Sequence, residues 1–187
     1  MEQLKNEKLT VTISAHGAEL QSIKNAEGRE YLWQGDEKYW PRRSPLLFPI
    51  VCGLWKDEYR VDGRTFNLPR HGFARDMDFE VVEKSDTSVT YTLESSPETR
   101  EVYPYDFELD VTYILNDDAI SVIWSVKNTG KQEMHFQIGG HPAFNLPGVA
   151  EGDKMHGSIL FDNVEPLTRI IGNTGGCIKP ERYELKT

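Results

Sequence analysis

Short runs of alternating apolar and polar residues dominate this sequence. Alternation places successive side chains on opposite faces of an extended chain and therefore predicts β-strands. Clusters of Gly, Pro, Asn and Asp separate the runs, as is typical of turns. We predict strands at Leu9–Ile13, Gly17–Ile23, Tyr31–Trp33, Phe79–Val82, Ser88–Leu93, Phe107–Leu115, Ala119–Asn128 and Ser158–Asp162, and a hairpin at Trp55–Leu68 that turns at Asp62-Gly63.

Helical periodicity extends over no more than a turn or two anywhere in the chain. Strands at such short intervals favour an all-β sandwich or barrel, formed by residues 1–187 as one domain. The segment Ser95–Tyr105 carries Pro97 and Pro104, which favours a longer exposed loop. The Gly-rich stretch at Gly172–Gly176 and the charged tail after it are typical of a chain that ends inside a domain. We therefore expect a fold that is incomplete at its C-terminus.

One stretch, HFQIGGHPAFNLP at His135–Pro147, breaks the alternation. Its paired glycines permit close backbone approach or positive φ, and Pro142 stiffens the chain that follows. Between them His141 stands on a rigid segment at a strand end. Imidazole is the side chain that most readily exchanges protons near neutral pH. This setting favours a functional role for His141 over a structural one.

Two other stretches share this punctuated pattern. In Pro69–Asp76 a proline is followed by His71, a glycine and an aromatic residue. In Gly35–Gly53 three prolines exclude a helix interior and a central strand, and Arg42 and Arg43 lie among aromatic residues. The second stretch is interpreted equally well as a binding rim and as a surface loop. Its apolar end indicates partial burial, so an adjacent arginine would need a partner.

The composition of the chain limits which partners and which kinds of chemistry are expected. A net charge of −9 over 187 residues argues against a nucleic-acid partner. Two cysteines, no basic-apolar leader and no apolar run of about 20 residues favour a cytoplasmic protein without a membrane partner. Ligand-spaced metal clusters and phosphate-binding or dinucleotide motifs are missing from the sequence, so we expect neither metal nor cofactor. Acid/base chemistry on a neutral polar substrate remains.

Several stretches resemble the aldose 1-epimerase (galactose mutarotase-like) superfamily, closest to its LacX-type branch. They occur in the family's order and together span nearly the whole chain. The stretches are YWPRRSPLLFPIVCGL at Tyr39–Leu54, LPRHGFARDMDFEV at Leu68–Val81, GGHPAFNLP at Gly139–Pro147 and, more weakly, GAELQSI at Gly17–Ile23. The resemblance implies a β-supersandwich whose concave sheet face binds a sugar. It also implies cofactor-free interconversion of α and β anomers.

The resemblance further implies roles for individual residues. His141 corresponds to the acid that protonates the sugar ring oxygen, and His71 to the histidine that helps polarise it. The substrate-binding arginine corresponds to Arg43, with Arg42 as the alternative. Arg75 would bind an anionic group if the substrate were a sugar phosphate, or else form a salt bridge. The candidates for that salt bridge are Asp76 and Asp78. Trp40, Trp55 and Phe73 offer apolar faces for the C–H face of a sugar, although aromatic residues more commonly pack in the core.

The family's general base is a glutamate, and nothing between Gly148 and Thr187 matches its motif. We assign that role to none of the available residues, Glu151, Glu165, Glu181 and Glu184. We expect a shortened enzyme whose base lies beyond Thr187. A gene fragment and a degenerate relative that only binds are the alternatives. The expected ligand is a hexose, with a hexose 6-phosphate or non-catalytic carbohydrate binding as alternatives, and the exposed sheet edge makes a homodimer possible.

Overall fold

The computed structural model describes residues 1–146, 148–149, 168–172 and 178–184, and their fold is almost entirely antiparallel β-sheet. No helix within these ranges is long and apolar enough to cross a bilayer. The elements are β1 (Glu2–Lys5), β2 (Leu9–Ile13), β3 (Leu20–Asn25), β4 (Leu46–Leu47), β5 (Glu58–Val61), β6 (Arg64–Asn67), β7 (Glu80–Lys84), β8 (Ser88–Glu94), α1 (Pro97–Val102), β9 (Phe107–Asn116), β10 (Ala119–Asn128), β11 (Gly139–Gly140), β12 (Thr168–Gly172) and β13 (Ile178–Glu184).

Two antiparallel sheets contribute most of the core. One has the order β1-β2-β3, and the other has the order β10-β9-β8-β7. Strict alternation in β2 and β9 sends every second side chain inward, and these side chains belong to one apolar cluster. The hydroxyl of Tyr113 on β9 donates to the carbonyl of Ala18, beside β3, at 2.6 Å. The all-β class predicted from the alternation is confirmed, and the bounds of β2 and β10 match the prediction.

The exposed loop predicted between β8 and β9 is wrong. The segment forms the short helix α1, whose N-terminus is closed by a capping box. The Ser96 hydroxyl accepts the Thr99 N–H at 3.3 Å, and the Thr99 hydroxyl accepts the Ser96 N–H at 2.8 Å. Pro97 occupies the first turn, where its missing N–H removes no helical hydrogen bond. The two tyrosines that follow, Tyr103 and Tyr105, are buried.

Other differences are smaller. The polar strand β1 had no sequence signal and forms because it pairs along its whole length with β2. The predicted strand Tyr31–Trp33 is reduced to an isolated bridge between Leu32 and Phe144. The hairpin predicted at Trp55–Leu68 begins with a 3-10 turn at Trp55–Asp57, so its strands are only β5 and β6, and it turns at Asp62-Gly63 as expected. The predicted strand Ser158–Asp162 lies outside the described residues.

Strand β10 has an unusual surface. In the described part of the chain it is an edge of the four-stranded sheet, although it is as long as its neighbour β9. Ile123 is 51% exposed, and Val122 and Trp124 are also exposed. Val122 and Trp124 line an apolar groove of about 470 Å³ together with Phe144. A long apolar edge strand is a surface to which another polypeptide can pair.

Candidate active site

The segment 43–52 forms the centre of the site. On one side it pairs antiparallel with the segment 137–143, through β4 and β11. Backbone bonds continue this ladder beyond the two short strands: His141 N–H to Pro45 O (3.1 Å), Ala143 N–H to Arg43 O (2.9 Å) and Gln137 N–H to Pro49 O (2.9 Å). Both prolines can only accept, because proline has no N–H. The carbonyl groups of the proline-rich stretch therefore accept backbone hydrogen bonds that fix the backbone around His141.

The other side of the segment 43–52 contacts the chain around His71. Gly72 forms a parallel bridge with Phe48, and the His71 N–H donates to the Cys52 carbonyl at 2.9 Å. Gly72 has a φ of +70°, and a Cβ at this position would lie well inside contact distance of the Phe48 carbonyl. Only glycine combines this conformation with such a close approach. Gly72 thereby places His71 beside the segment 43–52.

These pairings bring the two predicted histidines together. The ring centroids of His71 and His141 are 6.2 Å apart, with an interplanar angle of 63°. The Trp40 ring lies 5.0 Å from the His141 ring. The His141 side chain is exposed, whereas His71 is partly buried. Two imidazoles and an indole thus share one surface, with the more open imidazole accessible to a small molecule.

Local hydrogen bonding fixes the tautomer of His71. The Cys52 N–H donates to Nδ1 of His71 at 3.0 Å, so the neutral ring carries its proton on Nε2. Burial lowers the pKa of His71 below its ordinary value, and the charges of Arg75, Arg70 and His141 lower it further. His71 is therefore a neutral imidazole at neutral pH, with Nε2–H available to donate.

Arg43 lies on the same face of the ladder as His141. Directly opposite residues of an antiparallel pair point to one face, and Arg43 is opposite Ala143, two residues beyond His141. Its Nη1 donates to the Gln21 side-chain oxygen at 2.9 Å. Its buried Nε has no hydrogen-bond partner among the described residues. Arg43 is thus partly held by the protein through Nη1, while its unpaired Nε is enclosed.

A single carboxylate positions the backbone around Arg43. Oε1 of Glu19 accepts the N–H groups of Arg43 and Ser44 at 3.0 and 2.8 Å. Glu19 and Gln21, both in the predicted strand Gly17–Ile23, therefore hold the loop that carries Arg43. Sequence reasoning did not identify either residue. The only available signal was that a partly buried arginine needs a partner.

Arg42 and Arg75 share one carboxylate. Nη2 of Arg42 lies 2.6 Å from Oδ1 of Asp76, and Nε of Arg75 lies 3.4 Å from Oδ2. The longer contact is an ion pair without hydrogen-bond geometry, and Nη2 of Arg75 donates instead to the Arg70 carbonyl at 2.8 Å. Of the two salt-bridge candidates for Arg75, Asp76 is the one that forms. Asp78 pairs with His16 instead.

The three aromatic candidates for apolar contact with a sugar, Trp40, Trp55 and Phe73, lie in different environments in the structure. Trp40 contacts His141, as described above. Phe73 packs against the core rings of Phe48, Tyr103 and Phe107, so it serves the core. Trp55 is largely exposed in its 3-10 turn. Within the described ranges, no three His, Cys, Asp or Glu side chains converge as a metal site would require.

An all-β fold with two imidazoles beside a proline-rich strand defines a galactose mutarotase-like protein. The profile of the aldose 1-epimerase family matches residues 2–160. The chain belongs to this family, in its LacX-type branch. It is 42% identical over 171 residues to the chromosomal LacX protein of Lactococcus lactis subsp. lactis, covering 87% of this chain and 56% of that protein. The plasmid LacX protein of the same organism matches equally.

Solved structures agree with the sequence relatives. A galactose mutarotase related enzyme from Lactobacillus acidophilus superposes with a TM-score of 0.88 at 38% identity, over 98% of this chain and 61% of that one. A galactose mutarotase-like protein from Lactobacillus casei gives 0.83 at 36% identity, over 99% and 67%. The predicted galactose mutarotase-like fold is confirmed. The chain spans little more than half the length of the curated relatives it matches.

Proposed function

We propose that this protein is a mutarotase that interconverts the α and β anomers of a free hexose by acid/base catalysis, without a cofactor. Family membership supports an isomerase of the aldose 1-epimerase class. The observation that carries the proposal is the histidine pair, with ring centroids 6.2 Å apart and the proton of neutral His71 on Nε2. Such a pair suits a reaction that must protonate one ether oxygen.

In the proposed reaction a base removes the proton from the C1 hydroxyl, and a carbonyl forms at C1. The bond between C1 and the ring oxygen breaks, and its electron pair goes to that oxygen, which takes a proton from His141. The Nε2–H of His71 donates a hydrogen bond to the same oxygen, and Arg43 holds a sugar hydroxyl. Rotation about C1–C2 and the reverse proton transfers then close the ring on its other face. A positioned acid typically contributes about 10²–10⁴-fold to such a step.

A free hexose fits the arginines better than a sugar phosphate. Arg75, a candidate phosphate ligand together with Arg43, already shares the Asp76 carboxylate with Arg42. Binding of a phosphate dianion would compete with that carboxylate for both guanidinium groups. Arg43 remains, and one arginine on a face with a neutral imidazole suits a hydroxyl-bearing ligand.

The base of the reaction is not assigned to a residue. Within the described ranges, neither His71 nor His141 is paired with a carboxylate. Carbohydrate binding without catalysis is the alternative function, favoured by the same absence of a paired carboxylate.

Polarimetry of freshly dissolved α-D-glucose and α-D-galactose tests the proposal. The protein should accelerate mutarotation above the buffer rate. His141→Ala should return the rate to that of buffer, whereas His135→Ala, which removes an exposed histidine six residues before His141, should not. Folded protein that binds sugar without acceleration would establish the binding function instead.

We also propose that a second copy of this chain pairs with β10. Natural edge strands are commonly blocked by charges or proline, but β10 has no proline and only one charged residue, Lys127. Antiparallel pairing about a two-fold axis near Ile123 would place Lys127 opposite the apolar beginning of the partner strand. Like charges would then not meet, and the free backbone N–H and C=O groups along the edge of β10 would form hydrogen bonds with the partner strand.

Sedimentation equilibrium tests this dimer. Ile123→Lys should weaken self-association at least tenfold, because it introduces facing charges at the two-fold axis. The matched control is Val82→Lys on β7, which is 57% exposed at the opposite edge of the same sheet. The control should associate like the unmodified protein. A monomer at all concentrations, or equal effects of the two substitutions, would disprove pairing through β10.

A further inference from the structure

Tyr105 is a buried side chain with an unused polar group. Its residue surface is only 5% exposed, yet its hydroxyl makes no hydrogen bond to any residue in the described ranges. Its two tyrosine neighbours behave differently. The hydroxyl of Tyr59 donates to Val102 O at 2.7 Å, and that of Tyr103 donates to His135 O at 2.8 Å. The Tyr105 ring is buried, but its hydroxyl oxygen is not enclosed, so a ligand in the adjacent groove can reach it.

The hydroxyl of Tyr105 faces an open groove of about 670 Å³. Burial raises the pKa of Tyr105, and the carboxylates of Asp62 and Glu133 raise it further. Tyr105 lines the groove together with both of these carboxylates. It is therefore a protonated donor at neutral pH. The groove volume lies within the range of small-molecule sites.

The rim of the groove offers both donors and acceptors. Asp62, Glu133 and Arg60 line it, and none of the three forms an ion pair with a described residue. The Phe136 ring is 41% exposed and also lines the groove. A neutral polyhydroxylated ring matches this set, because its hydroxyls both donate and accept and its C–H face packs on an aromatic ring. A simple cation matches less well, because Arg60 would repel it.

The groove is separate from the histidine pair but shares its scaffold. Neither His71 nor His141 lines it, whereas Pro49 and Gln137 do. The Gln137 side-chain oxygen accepts the Val51 N–H at 3.0 Å, which ties the groove wall to the segment 43–52. The paired segments 43–52 and 137–143 therefore contribute both to the groove wall and to the surface that carries His141.

We propose that this groove is a second saccharide-binding subsite, in which the Tyr105 hydroxyl, the Asp62 and Glu133 carboxylates and the Phe136 ring bind one sugar ring. The ring belongs either to an additional monosaccharide or to one unit of an oligosaccharide. This inference does not depend on catalysis at the histidine pair.

Amide NMR titration with D-glucose and with maltose tests the subsite. Both sugars should cause saturable shifts at Phe136 and Gln137, and tighter binding of maltose would identify the oligosaccharide as the source. Tyr105→Phe, which deletes only an unpartnered hydroxyl, should weaken binding about threefold to tenfold without lowering the melting temperature. Asp62→Asn should act similarly, since asparagine tolerates the positive φ at this position.

The controls separate the subsite from the proposed mutarotase function. His141→Ala should leave the shifts at Phe136 and Gln137 unchanged, and Tyr105→Phe should leave mutarotation unchanged. Three results would overturn the subsite: no saturable shifts at these amides, unchanged affinity in both groove variants, or saturation by spermidine in preference to either sugar. Loss of mutarotation alone would reject the enzyme proposal and leave the subsite standing.

Discussion

Replacing Gly72 with alanine is expected to lower the free energy of unfolding by about 3 kcal/mol or more. Two effects combine at this residue. The φ of +70° is unfavourable for any residue with a Cβ, and the added Cβ would overlap the carbonyl of Phe48. The obstacle is backbone, which cannot rotate aside as a flexible side chain would. The parallel bridge between Phe48 and Gly72 must therefore open.

Gly63→Ala is the matched control for this prediction. Gly63 has a similar φ of +77°, but a Cβ there would meet nothing within 4 Å. This substitution should cost only the conformational strain, roughly 1–2 kcal/mol. Urea denaturation followed by tryptophan fluorescence measures both variants. Equal losses of stability would mean that the close approach to Phe48 contributes nothing. The larger loss expected for Gly72→Ala would show how tightly the His71 backbone is fixed.

Most of the strands were predictable because the residues within each strand determine its alternating pattern. Alternation alone predicted the bounds of β2 and β10, and the Asp62-Gly63 pair predicted the hairpin turn. The two wrong predictions concern elements whose local sequence does not determine their structure. Pro97 is compatible with a loop and with the first turn of a helix, and only the capping box decided between them. Strand β1 is polar and depends on its partner.

The candidate site also has a part that the sequence indicated and a part that it did not. His71 and His141 were identifiable because each interrupts an alternating run with glycine and proline. The groups that position the two histidines could not be identified from the sequence. Cys52 acts on His71 through its backbone N–H, which any residue but proline carries, so no sequence pattern marks it. Likewise, Arg75 and Asp76 lie together in a 3-10 turn at Ala74–Asp76, and this local geometry selects Asp76 over Asp78 as the partner of Arg75.

His71→Asn is expected to lower the protein-dependent mutarotation rate by roughly 10² or more while the protein stays folded. His71 has a φ of +71°, in the left-handed region where asparagine is among the best-tolerated residues. The variant therefore removes the imidazole and keeps the backbone. Polarimetry and thermal denaturation give the two readouts, and His135→Asn is the control. A normal rate in folded His71→Asn would exclude a role for this imidazole in polarising the ring oxygen.

The same variant tests the lowered pKa of His71. Because the pKa lies below 6.5 in the folded protein, the unfolded chain binds more protons between the two values. Stability linked to His71 is therefore complete above pH 6.5 and falls as the pH drops toward the folded pKa. Protonation of Nδ1 would also turn it from an acceptor into a donor facing the Cys52 N–H. His71→Asn should remove this part of the acid-side stability loss. An unchanged dependence of unfolding free energy on pH would mean that burial and the neighbouring charges do not lower the pKa of His71 in the folded protein.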